Sequence, residues 1–359
     1  MNSLSSLIHE IMSEMPSKKP TEPKNDAKRP KFVVVVIGDL PYYVPVPEEF
    51  ALAPSEVGAE PFQIKFTHFK PLRHPDDSQG QNIDDRVGTY IRSKCHVSFP
   101  LLKLPEGNYR DGFEKKALFI ANKALRAIRF KAYEPALRHV SRFDNCIVQT
   151  IEFNSDGTVK PLSEVSLKTD YGPFGIRPLG ELKGDALQDV WWYFNGLMPI
   201  PSAWFLILDA KYHNSMGDIT HACLDLATAL EINIDGLIEY YSRYDPRLAH
   251  IGLDDKNIYQ KYDEVLFQAT GHSLHEHPDH FVNLEYIYAI RNSIAHAWKA
   301  EFRLTDRMKR KSRYLDRHKK RDGHEIRNSH EIKELIKSAE EIVSHTTEAF
   351  HTKYDSADA

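Results

Sequence analysis

One short stretch near the end of a predicted helix combines three polar side chains that could act together in a reaction. Arg291, Asn292 and His296 follow an apolar, aromatic run that is typical of a buried helix. At 3.6 residues per turn, Asn292 and His296 share a face, and Arg291 starts on the neighbouring face and needs its long side chain to join them. A guanidinium, an amide and an imidazole at one helix end could hold a phosphate oxygen and move a proton near neutral pH.

A strongly basic segment follows this stretch. Residues 299–327 contain twelve lysines and arginines against five acids, a charge of +7, whereas the whole chain carries −4, so the remainder carries −11. Charge segregated in this way could hold phosphates nonspecifically, and an aromatic ring could stack on a base. The candidate RNA-binding residues are Lys309, Arg310, Lys311, Arg313 and Tyr314. A solvated charged helix or loop is the alternative explanation.

Other kinds of site have less support in the sequence. His272, His275, His277 and His280 are close together in a predicted loop, but they lack a cysteine and match no ligand spacing that closes a zinc site. No GxGxxG, GxxxxGK[ST], HExxH or G-x-S-x-G motif is present. We therefore do not expect Gly38, the glycine after the first predicted strand, to begin a phosphate-binding loop. We expect neither a metal ion nor a cofactor.

Length and composition predict two domains in a reducing compartment. The chain has 359 residues, of which 41% are hydrophobic and 27% charged, which is ordinary globular usage. Cys95, Cys146 and Cys223 are far apart without CxxC spacing, so we expect buried thiols rather than a disulfide framework. No apolar run approaches the roughly 18 residues of a membrane span, and the N-terminus lacks a basic start followed by an apolar core, so we expect neither a span nor a signal peptide. We therefore expect a cytoplasmic protein that does not bind membranes.

The first half of the chain has the pattern of a mixed α+β domain. Residues 1–30 predict a short helix on a flexible leader, and residues 31–182 predict an α+β domain. Strands are predicted at 32–37 and 62–69, and a hairpin at 146–159, because β-branched or alternating apolar residues fill them. A strong helix is predicted at 112–129, with its apolar side formed by Phe113, Ala117, Leu118, Ile120, Ala121, Ala124, Leu125 and Ile128. Residues 70–90 predict an exposed loop.

The second half, residues 183–359, predicts an all-α bundle. Amphipathic helices are predicted at 185–197, from 202, from 218 to about 241, at 257–270, at 280–298 and at 330–353. Pro199 and Pro201 separate the first two, and Asp218 is a suitable N-cap after Gly217. The basic segment forms an insertion at 299–328 before the last helix.

This half resembles HEPN domains (higher eukaryotes and prokaryotes nucleotide-binding), particularly the Apea-like HEPN proteins of bacteria. The resemblance lies in two matches over residues 185–359: the stretch from Leu208-Asp209-Ala210 through Gly217-Asp218 to Ala227–Glu231, and the Arg-Asn-Ser-Ile-Ala-His hexamer at 291–296, which fits the family's Arg-x-x-x-x-His signature. Two features depart from the family: Ala297 stands where many relatives have glycine, and the charged insertion is long. The resemblance implies a HEPN-type helical bundle after the α+β domain.

The resemblance also implies an activity. Many HEPN proteins are metal-independent ribonucleases whose homodimers bring two such motifs to one cleft. We therefore expect an endoribonuclease with Arg291, Asn292 and His296 as its catalytic residues, RNA as its substrate, and an antiviral defence or toxin role with an unknown trigger at the N-terminal domain. The alternative is a catalytically silent HEPN dimer that binds nucleotide or RNA or serves in assembly. In that case Arg291 could pair with Glu231, and His296 could be favoured by the helix dipole.

Overall fold

The computed structural model describes residues 30–55, 60–69, 92–154, 158–168, 181–251, 256–297, 301–302, 324–325 and 329–354. The chain divides into two compact units. The first, here called the sheet unit, comprises Met1–Ala132 and Leu137–Met198. The second, the helical unit, comprises Tyr133–Ala136 and Pro199–Ala359. An antiparallel sheet region is thus followed by a helical region, as the sequence predicts.

The sheet unit is built on one antiparallel sheet. Its strands are β1 (Phe32–Asp39), β2 (Ala51–Leu52), β3 (Gln63–Phe69), β4 (Arg92–Leu101), β5 (Asn145–Phe153) and β6 (Val159–Lys168), and its helices are α1 (Arg110–Ala132) and α2 (Asp185–Asn195). The strand order is β2-β3-β4-β1-β5-β6, with every neighbouring pair antiparallel. The most β-branched strand, β1, lies in the interior of the sheet, where both of its edges are paired.

Alternation along β1 separates two apolar layers. Val34 and Val36 face the main core, which also contains the buried side of α1, whereas Val33 and Val35 belong to a smaller cluster on the opposite face. Successive strand residues point to opposite faces, so a continuous valine run fills both layers. Seven of the eight apolar positions predicted for α1 are buried, and Leu118 is partly buried against the same core.

The predicted strands at 32–37 and 62–69 and the β5–β6 hairpin are confirmed. One strand was not predicted. In β4 the residues Cys95, Val97 and Phe99 alternate and are buried, but polar neighbours hide this pattern in the sequence. Three segments for which predictions were made, residues 1–29, 70–91 and most of 299–328, lie outside the described residues.

The helical unit contains the five other helices predicted for the second half of the chain. They are α3 (Ser202–Ser215), α4 (Ile219–Tyr241), α5 (the consecutive segments Ile258–Gln260, Lys261–Val265 and Leu266–Thr270), α6 (Pro278–Ala297) and α7 (Ser329–Tyr354). The middle segment of α5 is a π-helical turn. Two short strands, β7 (Glu301–Phe302) and β8 (His324–Glu325), pair between α6 and α7.

One apolar core holds these helices together. Leu226 and Leu230 of α4, Ile290 of α6, and Ile336 and Ile342 of α7 are buried in it. The predicted helix boundary at Gly217-Asp218 is confirmed: Gly217 has a φ of 77°, and the Asp218 carboxylate accepts a hydrogen bond from the backbone N–H of His221. Glycine adopts this positive φ without strain, and aspartate is a strong N-cap, so the two residues end α3 and begin α4.

The helix α2 packs in the sheet unit. Its Val190 and Phe194 are buried in the core of that unit. The sequence-based boundary at residues 182 and 183 therefore lies one helix before the boundary between the compact units, which follows Met198. A periodic apolar pattern shows that α2 is amphipathic but does not show which core its apolar face joins.

Candidate functional site

The helix α6 places the predicted catalytic residues in its last two turns. Ile287, Ile290 and Ile294 are buried in the helical core, and they fix the rotation of the helix about its axis. At 3.6 residues per turn, Asn292 and His296 lie on the side of the helix opposite these isoleucines, and Arg291 lies at the flank of the buried stripe. Arg291 is accordingly half-exposed, and Asn292 and His296 are exposed. The buried positions of α6 thus turn all three polar side chains away from the core.

The Arg291 guanidinium contacts two neighbours. Its Nη1 donates to Oδ1 of Asn292 over 3.2 Å, and its Nη2 lies 3.9 Å from Oε1 of Glu231 on α4. The side chains of Arg291 and Glu231 are 42% and 38% exposed. This ion pair is long and open to water, so its contribution to stability is small. The guanidinium retains donors that could bind a phosphate.

Tyr288 connects the helix that carries the motif to α4. It is buried one turn before Asn292, and its hydroxyl donates to the backbone carbonyl of Ala227 over 2.9 Å. Burial raises the pKa of Tyr288 well above its usual range, and the nearby Glu231 carboxylate raises it further. The phenol is therefore neutral, and it ties α6 to the middle of α4 at the level of the Arg291–Glu231 pair.

His296 lies one turn after Asn292, at the exposed end of α6. Within the part of the chain that the structure describes, no hydrogen bond or ion pair joins its imidazole to Arg291, to Asn292 or to another residue. The structure thus brings Arg291 and Asn292 together and leaves His296 beside them on the same helix. An imidazole open to solvent at this position can exchange protons with a bound molecule.

The predicted RNA-binding residues, Lys309, Arg310, Lys311, Arg313 and Tyr314, lie outside the described residues. The end of α6 and the β7–β8 pair show only where this segment leaves and rejoins the helical unit. Its role in binding stays a prediction.

The four loop histidines make separate contacts. His272 lies 3.3 Å from Glu276. His275 lies 3.2 Å from Asp263, and its ring stacks on Phe281. The other two, His277 and His280, lie near His345 of α7. Among the groups that the structure describes, these four imidazoles do not form a cluster that could hold an ion.

One cluster of potential metal ligands was not predicted from the sequence. The side chains of His213, Asp218 and His221 gather where α3 ends and α4 begins. The signal was present in the sequence as a histidine before the predicted Gly-Asp turn and a second histidine three residues after the aspartate. The turn was predicted, but the side of the helix pair on which the two imidazoles lie depends on the packing of α3 against α4.

Among the described residues, no helix combines the length and the apolar character needed to cross a bilayer. Comparisons with models of protein families, with curated proteins and with solved structures gave no match to the chain. The candidate site is therefore interpreted from its own geometry and from the resemblance in its sequence.

Proposed function

We propose that this protein is a HEPN-type endoribonuclease that cleaves RNA without a metal ion. The observation that carries the proposal is the outward-facing group at the end of α6: a guanidinium bonded to an amide, followed one turn later by an exposed imidazole. Residues 281–290 of that helix are largely buried. Three polar side chains exposed at the end of such a helix fit a ligand better than they fit the core.

The proposed reaction uses the nucleophile that RNA itself carries. A base removes the proton of a 2′-hydroxyl, the 2′-oxygen attacks the adjacent phosphorus, and the bond from phosphorus to the 5′-oxygen breaks. An acid returns a proton to that 5′-oxygen. The products are a 2′,3′-cyclic phosphate and a 5′-hydroxyl, so atoms and charge balance without an added reagent.

Each residue of the motif has a role in this scheme. The imidazole of His296 acts as acid or base. The guanidinium of Arg291 binds the phosphoryl oxygens, since it can donate two parallel hydrogen bonds to them. The amide of Asn292 orients the guanidinium, as its 3.2 Å contact with Arg291 suggests. One histidine does not easily serve as both acid and base, so two motifs across the axis of a homodimer would divide the two tasks.

The test is RNA cleavage in EDTA by the wild type and by His296→Ala. We expect cleavage by the wild type that leaves cyclic phosphate ends, and its loss in the variant. A matched control is His250→Ala, which removes another exposed histidine of the helical unit and should leave cleavage unchanged. Activity that requires a divalent metal, or that persists in His296→Ala, would refute the proposal.

The second candidate function is a non-enzymatic HEPN dimer that binds nucleotide or RNA. The 3.9 Å contact between Arg291 and Glu231 favours it, because this pairing gives the arginine a structural role. Cleavage-deficient protein that still binds RNA in a salt-dependent manner would support this second function.

The biological setting rests on the resemblance. We propose a cytoplasmic effector of antiviral defence or a toxin, in which the N-terminal domain receives the trigger. Expression in a bacterial host provides a simple assay: growth arrest with the wild type and normal growth with Arg291→Ala would support the nuclease. Partners of residues 31–182 captured during phage infection would identify the trigger.

A further inference from the structure

The turn between α3 and α4 gathers three groups that commonly bind metal ions. Ligand atoms of His213, Asp218 and His221 all lie within 4.8 Å of one another. Oδ2 of Asp218 is 3.6 Å from Nδ1 of His213 and 2.7 Å from Nδ1 of His221. The two imidazole rings stack, with 5.3 Å between their centroids. Two nitrogens and one carboxylate oxygen form a donor set that suits zinc.

Local structure produces this arrangement. The left-handed Gly217 ends α3 and places Asp218 at the N-cap of α4. Oδ1 of Asp218 accepts the hydrogen bond from the backbone N–H of His221 over 3.1 Å, and Oδ2 faces the two imidazoles. The two carboxylate oxygens therefore have separate tasks: one caps the helix, and the other is available to an ion.

The distances fit a tetrahedral ion after small movements. Zinc bonds of about 2.0–2.2 Å place tetrahedral ligand atoms roughly 3.3–3.6 Å apart. The contact between Asp218 and His213 is near this range, and the shorter one between Asp218 and His221 has the length of a hydrogen bond, which a metal would replace. The side chain of His221 is 63% exposed, so it can adjust. Three protein ligands leave the fourth position for water.

A further carboxylate supports the ligand role of His213. Oδ2 of Asp225, on the second turn of α4, is 3.7 Å from Nε2 of the same imidazole. Histidines that bind a metal usually donate their other ring N–H to a carboxylate or carbonyl, which fixes the tautomer and strengthens the bond to the metal. Nδ1 of His213 faces Asp218 and Nε2 faces Asp225, but the 3.7 Å to Asp225 exceeds a hydrogen bond, so ion binding would have to draw Asp225 closer.

We propose that His213, Asp218 and His221 bind one zinc ion and that Asp225 orients the imidazole of His213. The ion would join the last turn of α3 to the first turn of α4. The site is separate from the proposed nuclease centre. His221 precedes Glu231 by ten residues on α4, which is about 15 Å along the helix axis. The ion thus stabilises the helical unit and takes no part in RNA cleavage.

The experiment measures zinc binding to the full chain after treatment with EDTA and removal of the chelator. Titration calorimetry should show one equivalent bound, and Co²⁺ in place of zinc should give the visible absorption of a tetrahedral site. Added zinc should raise the Tm, because a ligand that binds only the folded state stabilises it. Absence of a tight equivalent in the wild type would overturn the proposal.

Substitutions of the proposed ligands test whether zinc binds at this site or at other histidines. His221→Ala removes an exposed ligand, and Asp218→Asn keeps an equally good N-cap while removing the charged ligand. Each should weaken zinc binding at least tenfold and leave the Tm in EDTA close to that of the wild type. Asp225→Asn should weaken binding roughly 10- to 100-fold.

His250→Ala is the matched control and should bind zinc like the wild type, because His250 is exposed outside the cluster. Undiminished binding by both His221→Ala and Asp218→Asn would assign the zinc to a different site, such as the group around His345, and would also overturn the proposal. Loss of zinc binding leaves the RNA assay in EDTA unaffected, so the two proposals fail independently.

Discussion

At the scale of single residues, the partner of Arg291 distinguishes the two candidate functions. The guanidinium contacts Asn292 on its own helix and Glu231 on α4, and both carboxylate and guanidinium are more than a third exposed. A nuclease needs the guanidinium free for phosphate, and a structural pair needs the carboxylate. The two roles therefore predict different effects on RNA cleavage and on stability when the carboxylate of Glu231 is replaced by an amide.

We expect Glu231→Gln to retain RNA cleavage within a few-fold of the wild type, because an open ion pair contributes only about 0–1 kcal/mol. Arg291→Ala should lower cleavage by about 100-fold or more, as does the loss of a donor to developing charge in other enzymes. Single-turnover cleavage in EDTA and urea unfolding measure the two effects. If the wild type does not cleave RNA, and Glu231→Gln and Arg291→Ala lower the free energy of unfolding equally, the ion pair has a structural role.

His96 gives the sheet unit a pH dependence. It lies half-buried in β4, where Nε2 forms a 2.8 Å hydrogen bond with Oγ1 of Thr67 and Lys65 is the opposite residue on β3. Burial and, to a smaller extent, the charge of Lys94 lower the pKa of His96 to about 4. In the unfolded chain a histidine has a pKa of about 6.5, so below that pH the unfolded state binds the additional proton.

The sheet unit should therefore lose stability as the pH falls from about 6.5 to about 4, by roughly 1–2 kcal/mol for a half-buried group. Glutamine cannot titrate and can still bond to Thr67, so His96→Gln should show a smaller loss. Urea unfolding at pH 7 and at pH 4.5 measures the difference. An unchanged pH dependence in the variant would show that other groups cause it.

At the scale of the elements, local signals were enough to predict most helices and several strands. Asp218 and Gly217 marked one helix boundary correctly, since capping and positive φ depend on neighbouring residues alone. The strand β4 was not predicted, because its pairing with β1 and β3 joins residues far apart in the sequence. The cluster around His213 was missed for the same kind of reason.

Gly38 shows how an element constrains a single residue. No phosphate-loop motif follows this glycine in the sequence, and the structure places it within β1, paired with Cys95 and Cys146. A Cβ at this position would lie 2.3 Å from the ring of Phe143, which is buried. The glycine is therefore needed so that the aromatic ring can pack against the strand.

Gly38→Ala should destabilise the sheet unit by about 1–3 kcal/mol, the usual cost of overpacking a core. The control is Gly112→Ala in the first turn of α1, where a Cβ would meet nothing within 4 Å. That change should stabilise the protein by up to about 1 kcal/mol, because alanine favours helix more than glycine does. Unfolding in urea compares them, and similar effects of both changes would contradict the packing argument.

At the scale of the whole molecule, the sequence predicted two domains, and the structure contains two compact units. Which core receives α2 could not be read from its pattern, because an apolar face does not specify its partner. The order of helices in the second unit agrees with a bundle. Whether two copies assemble depends on surfaces rather than on periodicity, so the homodimer that the nuclease proposal invokes needs a direct test.

The proposed division of acid and base between two motifs makes activity depend on both copies. We expect a mass in light scattering close to twice the 41.4 kDa of the chain. When wild type is mixed with excess His296→Ala and subunits exchange, each mixed dimer has only one imidazole. With the wild type held at a constant concentration, a ninefold excess of the variant should lower cleavage to about a tenth of that of the wild type alone, because few wild-type homodimers remain.

The control for this mixing experiment is an equal excess of His250→Ala, which keeps the motif intact and should sustain cleavage in mixed dimers. Subunit exchange is verified beforehand by energy transfer between labelled copies. Cleavage that stays at the level of the wild type alone would contradict the shared cleft, as would a monomeric mass with full activity. In either case one copy of Arg291, Asn292 and His296 would have to supply both proton transfers, with a water molecule in place of the second imidazole.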